Sequence, residues 1–330
     1  MAYDGSQYLR GAGSGEVEKS FTKLPIPARI ADSRTRPTVR SDLSSTFGRG
    51  KGPPSTVVAS SSRGDLFGAH SGRGEMITPD EKFFRAHVTR RVDFAPDLWM
   101  FRIRSGGEFT FVPGQYATLG VEKDGKRVER PYSIASSPAE DEIEFFFELV
   151  PEGALTPQLY KLQPGDQLLM RKVPKGRFTL DTQNGRTNHL LISTVTGVAP
   201  FVSFVRWLKK EWNEGRFDGT HKLFLLNGAS RPWEFGYLDE LNQFDKELPW
   251  FKYVPTVSRP WDHTDWPGEI GRADDILRKY ADHWELDPGN TMAYLCGHPD
   301  MIEHSKAILK RRGFTDKGAV KEEVYWVPAK

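Results

Sequence analysis

Residues 189–212 read HLLISTVTGVAPFVSFVRWLKKEW, and the change of texture inside this stretch decides the fold. HLLISTVT (189–196) is an apolar, β-rich run, and PFVSFVRWLKKEW (200–212) that follows is amphipathic at helical spacing. Thr196 and Gly197 fall where the strand ends. Pro200 suits the first turn of a helix, whose N-terminal amides favour a phosphate. A strand that turns directly into a helix is the opening unit of a parallel sheet.

Working downstream, the same unit returns. KLFLLNGA (222–229) precedes a helix near Tyr237 to Phe244, FKYVPTVS (251–258) precedes ADDILRKYA, TMAYLCG (291–297) precedes PDMIEHSKAILKRR, and VKEEVYWV (320–327) follows as a last strand. This alternation predicts a five-stranded parallel sheet with helices on both faces. Such sheets bind ligands beyond the carboxyl ends of their strands, which directs attention to Thr196, Gly228, Ser258 and Cys296.

Upstream the texture is different. HVTRRVDF, LWMFRIRS, GQYATLGVE, RPYSIASS and IEFFFELV, between 87 and 150, are short β-branched and aromatic runs separated by turn clusters such as Ser105-Gly106-Gly107. Several short strands at close spacing predict an antiparallel barrel or sandwich, a barrel closing near Thr179. The expected organisation is therefore an antiparallel β-barrel domain over 77–184 and an α/β domain over 185–330. Residues 1–76 are rich in Gly and Ser, carry an excess of basic side chains and show neither period, so a disordered extension is expected there. Gly11, Gly13 and Gly15 imitate a dinucleotide loop, but no apolar strand precedes them.

Composition narrows the chemistry. A chain of 330 residues has room for about two domains. Its single cysteine excludes an intrachain disulfide, a Cys-based zinc site and a Cys-ligated iron-sulfur cluster, so redox chemistry requires a bound cofactor. A formal charge of +2 gives no global field for nucleic acid. The 8 histidines form no metal-ligand spacing. Leu190–Val205 is too short and too polar to span a membrane. The N-terminus lacks the apolar core of a secretory signal, and a cytoplasmic location is expected.

The sharpest local string is Arg130-Pro131-Tyr132-Ser133. A guanidinium grips a diphosphate bidentately, a phenol ring stacks on a flat heterocycle, and a hydroxyl bonds a ring nitrogen. Those are the three needs of a flavin dinucleotide. Taken with Gly153-Ala154-Leu155-Thr156, the TGVAP turn, Cys296-Gly297-His298-Pro299-Asp300-Met301 and Glu323-Val324-Tyr325-Trp326, the order and spacing over residues 80–326 resemble the ferredoxin-NADP reductase family.

That resemblance implies FAD and NADP(H) as cofactors and assigns roles. Arg130 would bind the FAD pyrophosphate, Tyr132 would stack on the isoalloxazine, and Ser133, following Pro131, would bond flavin N5. Gly153, Leu155 and Thr156 would supply backbone amides and a hydroxyl to the diphosphate. Thr196 and Gly197 would receive the nicotinamide nucleotide. Ser258, Arg259 and Arg272 would bind the 2′-phosphate of NADP, and Tyr237 would stack on its adenine. Cys296 would wall the nicotinamide site, Glu323 would assist proton movement, Tyr325 would cover the flavin face, and Trp326 would stack on the FAD adenine.

One position departs from the family. Val195 stands where a glycine is usual, which predicts weaker or repositioned nucleotide binding. The implied partner is a separate ferredoxin or flavodoxin, steered by Lys172, Lys175 and Arg177. Two alternatives stay open: the reductase component of an oxygenase or a free flavin reductase, and a nucleotide-binding regulatory protein without turnover. A partner for the N-terminal extension is not specified by its composition.

Overall fold

The computed structural model describes residues 82–123 and 125–325. The expected extension over 1–76 and the Trp326 assignment lie outside the described residues.

The first half forms one six-stranded antiparallel sheet. Its strands are β1 (Phe83–Ala95), β2 (Leu98–Arg104), β3 (Tyr116–Lys123), β4 (Lys126–Ser133), β5 (Ile143–Glu148) and, after the short helix α1 (Thr156–Leu159), β6 (Gln167–Arg171). The order is β4-β3-β6-β1-β2-β5. The two-residue period of a strand sends Trp99, Phe101 and Ile103 of β2, Ala117 and Leu119 of β3, Phe145 and Phe147 of β5, and Leu168 and Met170 of β6 into a single core. Just past β4, Ala135 N donates to the Glu144 carbonyl of β5 at 2.8 Å, so the two outer strands meet and the sheet curls into a barrel. Pro131 is tolerated because β4 is an edge strand, where no ladder hydrogen bond is lost.

The second half is the expected parallel sheet. Its strands are β7 (Asn188–Thr194), β8 (Lys222–Ala229), β9 (Phe251–Val257), β10 (Glu269–Ile270), β11 (Thr291–Gly297) and β12 (Val320–Val324). The intervening helices are α2 (Ala199–Asn213), α3 (Leu238–Glu247), α4 (Ala273–His283) and α5 (Pro299–Arg311). The order β10-β9-β8-β7-β11-β12 adds one two-residue edge strand to the five expected.

Strand alternation decides what each face touches. Leu190 and Ile192 of β7 and Ala293 and Leu295 of β11 pack with Ile276 and Leu277 of α4 and Ile302 and Leu309 of α5. Leu191 of β7 and Met292, Tyr294 and Cys296 of β11 point the other way. They join Phe201, Val205 and Leu208 of α2, Leu241 of α3, and Leu98, Ala135, Phe146 and Phe178 of the barrel half. The barrel therefore packs on the α2 side of the sheet, and alternation alone puts the Cys296 side chain on that side.

Candidate active site

The carboxyl edge of β7 and β11 is a tight crossing of backbone. After Thr194 the chain makes a 3-10 turn, Val195–Val198, before α2 begins. A Cβ on Gly197 would collide with the Cys296 carbonyl oxygen, so only glycine lets this loop lie this close to β11. Gly297 has φ of 130°, and there too a side chain would strike Thr194 Oγ1. The Thr194 hydroxyl oxygen accepts from His298 N at 2.9 Å, which ties the loop to the start of α5.

Val195 keeps a left-handed backbone, φ 41°, despite its β-branch. That conformation costs a non-glycine residue roughly 1–2 kcal/mol. The loop follows the path a glycine would allow, and the half-buried valine side chain packs beside Ala229, Phe235 and Val257 at the ends of β8 and β9.

At this crossing the barrel and the sheet meet through polar groups. Ser133 Oγ, at the end of β4, donates to Glu323 Oε1 on β12 at 2.6 Å. Glu323 pairs in register with Cys296, which pairs with Ser193 of β7. The Tyr325 hydroxyl donates to the Thr196 carbonyl at 3.1 Å, and Tyr325 N donates to the Gly297 carbonyl at 3.1 Å. Ser133, Thr196, Gly197, Cys296, Glu323 and Tyr325 are thus one cluster drawn from two sheets.

The electrostatics of the cluster follow from its burial. Burial raises the Glu323 carboxyl above the usual carboxylate range, against the lowering effect of the Ser133 hydrogen bond. The Cys296 thiol is fully buried, and burial together with the Glu323 charge pushes it well above its ordinary value. It is a neutral thiol, which fits a packing wall and not a nucleophile. Burial, with Cys296 and Glu323 beside it, holds the Tyr325 phenol far up as well, so it stays a hydrogen-bond donor.

The barrel edge next to the cluster carries the remaining flavin candidates. The Arg130 side chain is exposed and donates to the Glu129 carbonyl at 2.7 Å. Tyr132 is half-buried and meets Phe147 edge to face, 4.9 Å between ring centres. Pro131 lies exposed between them. Across the barrel, Gly153 N donates to the Val150 carbonyl at 2.8 Å, and the amides of Ala154, Leu155 and Thr156 donate to no carbonyl among the described residues. An exposed guanidinium, a half-buried aromatic ring and backbone donors fit the diphosphate and flat ring of FAD. Thr156 corrects the expectation in part. Its hydroxyl donates to the Val150 carbonyl and accepts from Val150 N, both at 3.1 Å, so it closes its own turn and is not spare for a phosphate.

The NADP candidates lie beyond β9 and β10. Because Ile270 pairs with Val257 and Gly271 N donates to the Val257 carbonyl at 2.8 Å, Ser258-Arg259 and Arg272 leave the sheet side by side. Arg259 is exposed, and Arg272 Nε donates to the buried Asp274 carboxylate at 3.1 Å. Arg231, which follows β8, is held by Asp262 at 2.8 Å. Two arginines at one edge fit a phosphate monoester. Tyr237 does not belong with them. It is buried, its hydroxyl donates to Glu144 Oε1 at 2.9 Å, and its ring is enclosed by Phe94 and Phe146, so no face is open to an adenine.

Glu144 and Arg206 escaped the sequence reading. The signal was a carboxylate inside the apolar run IEFFFE and an arginine among the apolar residues of α2. Among the described residues no group of three or more His, Cys, Asp or Glu has the arrangement to hold a metal, and no helix is long and apolar enough to cross a membrane.

A barrel with an Arg-Pro-Tyr-Ser edge, joined at one cluster to the carboxyl edge of a parallel sheet, defines a two-domain flavin- and pyridine-nucleotide-dependent oxidoreductase. Residues 85–180 match the oxidoreductase FAD-binding domain family, and residues 191–307 match the oxidoreductase NAD-binding domain family. The chain is 31% identical to the ferredoxin–NADP reductase of Pseudomonas aeruginosa over 230 residues, 66% of this chain and 84% of that one. It thus belongs to the ferredoxin–NADP reductase family. Among solved structures, the Neisseria gonorrhoeae ferredoxin NADP+ reductase with bound FAD and NADP superposes with a TM-score of 0.64 at 24% identity, over 74% of this chain and 98% of that one. An Amycolatopsis cytochrome P450 reductase superposes with a TM-score of 0.62 at 26% identity, over 74% of this chain and 69% of that one.

Proposed function

We propose that this chain is a flavoenzyme that moves electrons between NADPH and a separate one-electron carrier, a ferredoxin or flavodoxin. Residues 77–184 hold FAD and residues 185–330 hold NADP(H). The observation that carries the reading is the Ser133–Glu323 hydrogen bond of 2.6 Å, because it joins the flavin edge of the barrel to the strand beside Cys296.

The bound isoalloxazine supplies the step between hydride and single-electron chemistry, which no side chain of this protein performs. The protein's part is to orient and to manage protons. Arg130 and the amides of Ala154 to Thr156 hold the diphosphate. Tyr132 would support the ring, and the Ser133 hydroxyl, which donates to Glu323, would offer its oxygen as an acceptor to a ring nitrogen. Glu323 can hold or release a proton through that hydroxyl. The Cys296 wall and the glycine-tight crossing at Gly197 set how closely a nicotinamide approaches. Tyr325 covers the approach, and moving it breaks its bond to Thr196 at a cost of about 1 kcal/mol. Ser258, Arg259 and Arg272 select the 2′-phosphate.

Exposed Lys175 and Arg177, with half-buried Lys172 beside them, offer a basic face to an acidic carrier. A cytoplasmic setting accords with NADPH as reductant. The likeness to a cytochrome P450 reductase keeps a second partner class in view, an oxygenase system. Reconstitution separates them. NADPH-dependent reduction of a ferredoxin or flavodoxin is the expected outcome, and electron delivery to an oxygenase component alone would replace this partner with the other.

A further inference from the structure

Helix α2 starts at the nucleotide loop and also grips the barrel. Ala199, Ser203 and Arg206 recur on one face of it, and that face lies on the segment that follows Ser133. Ser203 Oγ donates to the Ser136 carbonyl at 2.7 Å. Arg206 Nη1 donates to Glu144 Oε1 at 3.0 Å and to the Ala135 carbonyl at 3.3 Å. Its Nε and Nη2 hold both oxygens of Glu240 on α3, each at 2.8 Å.

On the barrel side Glu144 is equally committed. It accepts from Arg102 Nε at 2.8 Å and from the Tyr237 hydroxyl at 2.9 Å, and its own amide donates to Ser136 Oγ at 3.0 Å. Its side chain is 1% exposed and that of Arg206 12%. Surface ion pairs hold geometry weakly, but here every guanidinium nitrogen has a partner in one plane, and the Glu144 end of the network is buried.

The two ends of this arrangement are the two ends of the reaction. Ala135 is two residues past Ser133, and Thr196-Gly197 are separated from α2 only by Val198. From Ala199 to Arg206 the helix is a rigid spacer of about 10 Å, so a displacement at Arg206 is carried to the nucleotide loop. We propose that the Arg206–Glu144 pair is a positioning latch that sets the separation between the flavin edge of the barrel and the nicotinamide loop. This rests on the hydride-transfer reading above. Lysine cannot replace Arg206, because one ammonium cannot serve Glu144, Glu240 and Ala135 in that plane.

The test uses FAD-loaded protein mixed rapidly with NADPH without oxygen. It reads the limiting rate of flavin reduction and, from its concentration dependence, the NADPH dissociation constant. Arg206→Lys and Glu144→Gln are compared with Lys209→Ala, whose lysine lies on the same helix and pairs with Glu247 at 2.8 Å. The latch predicts a limiting rate lower by about 10²-fold in the first two variants, with NADPH affinity and bound FAD retained, and no change in Lys209→Ala. Glu144→Gln keeps the side-chain shape, so the answer does not hang on one variant folding. Wild-type limiting rates in Arg206→Lys or Glu144→Gln, a loss confined to NADPH affinity, or an equal loss in Lys209→Ala would each overturn the proposal. A wild-type protein that NADPH fails to reduce would overturn the hydride-transfer reading itself, a different result from any of these.

Discussion

Strands β7 and β11 lie side by side in the middle of the parallel sheet, and their two ends have opposite character. At the starting end, His189 is fully buried, with Nε2 3.0 Å from His221 Nδ1 and its own Nδ1 without a hydrogen-bond partner among the described residues. Burial, reinforced by the neighbouring His221, lowers its pKa to about 3, so the ring is neutral. At the finishing end, Cys296 and the residues around it are also shifted by burial, but there a second sheet arrives and Ser133 bonds Glu323. Perturbed titration therefore marks both ends and by itself locates no chemistry. What separates them is convergence: one end closes on aromatic and histidine packing, and the other gathers polar groups from two sheets around a glycine-lined crossing.

The largest effect is expected at the starting end. The folded state holds His189 neutral down to about pH 3, whereas the unfolded chain protonates it near its ordinary value of 6.5. Stability from this residue is therefore present above that ordinary value and is lost as pH falls toward the folded value, by up to about 1.4 kcal/mol per unit of pH. His189→Leu should flatten this acid limb in denaturant titrations and leave flavin reduction intact. Lost flavin reduction in that variant would show that the two ends are not independent.

At the finishing end the signs reverse. Ser133→Ala should slow flavin reduction by about 10²-fold, roughly 2.7 kcal/mol of barrel-edge positioning and hydrogen bonding, while unfolding by denaturant changes little. Equal losses of rate and stability would make Ser133 a packing residue like His189. Glu323 tests the same contrast through pH. Its folded pKa is raised, so its contribution to stability is greatest below the ordinary carboxylate value and declines as pH climbs through the raised one. Glu323→Gln should remove that decline and the matching limb in the pH profile of flavin reduction.

The smallest effect is expected at Val195→Gly. Relief of the left-handed strain offsets the lost contacts with Ala229, Phe235 and Val257, so stability should move by less than about 1 kcal/mol. The NADPH dissociation constant should fall, because glycine frees the backbone approach that the valine side chain borders. Unchanged affinity would place Val195 outside the nucleotide path.

Much of the fold was legible because its signals are local. The switch from strand to amphipathic helix near Thr196 and its recurrence at 228, 258 and 296 lie within short windows of sequence. Strand β6 was missed because QLLMR is short and stands beyond the last clear aromatic run. The site was legible through strings, and it failed where a long-range contact decided. The resemblance assigns Tyr237 to the adenine, but Glu144, 93 residues earlier, claims its hydroxyl. The Thr156 hydroxyl was lost to its own turn at Val150. No spacing rule relates Ser133 to Glu323 across 190 residues, nor Arg206 to Glu144 across 62. Those contacts exist only once the barrel packs on the α2 face of the sheet.

On the proposed function, the finishing end of β7 and β11 is where a hydride passes between nicotinamide and flavin. The most direct measurement is anaerobic mixing of the FAD-loaded protein with NADPH while the visible flavin band is recorded. The band should bleach in wild type and bleach far more slowly in Ser133→Ala. A flavin band that NADPH leaves unchanged in wild type would contradict it.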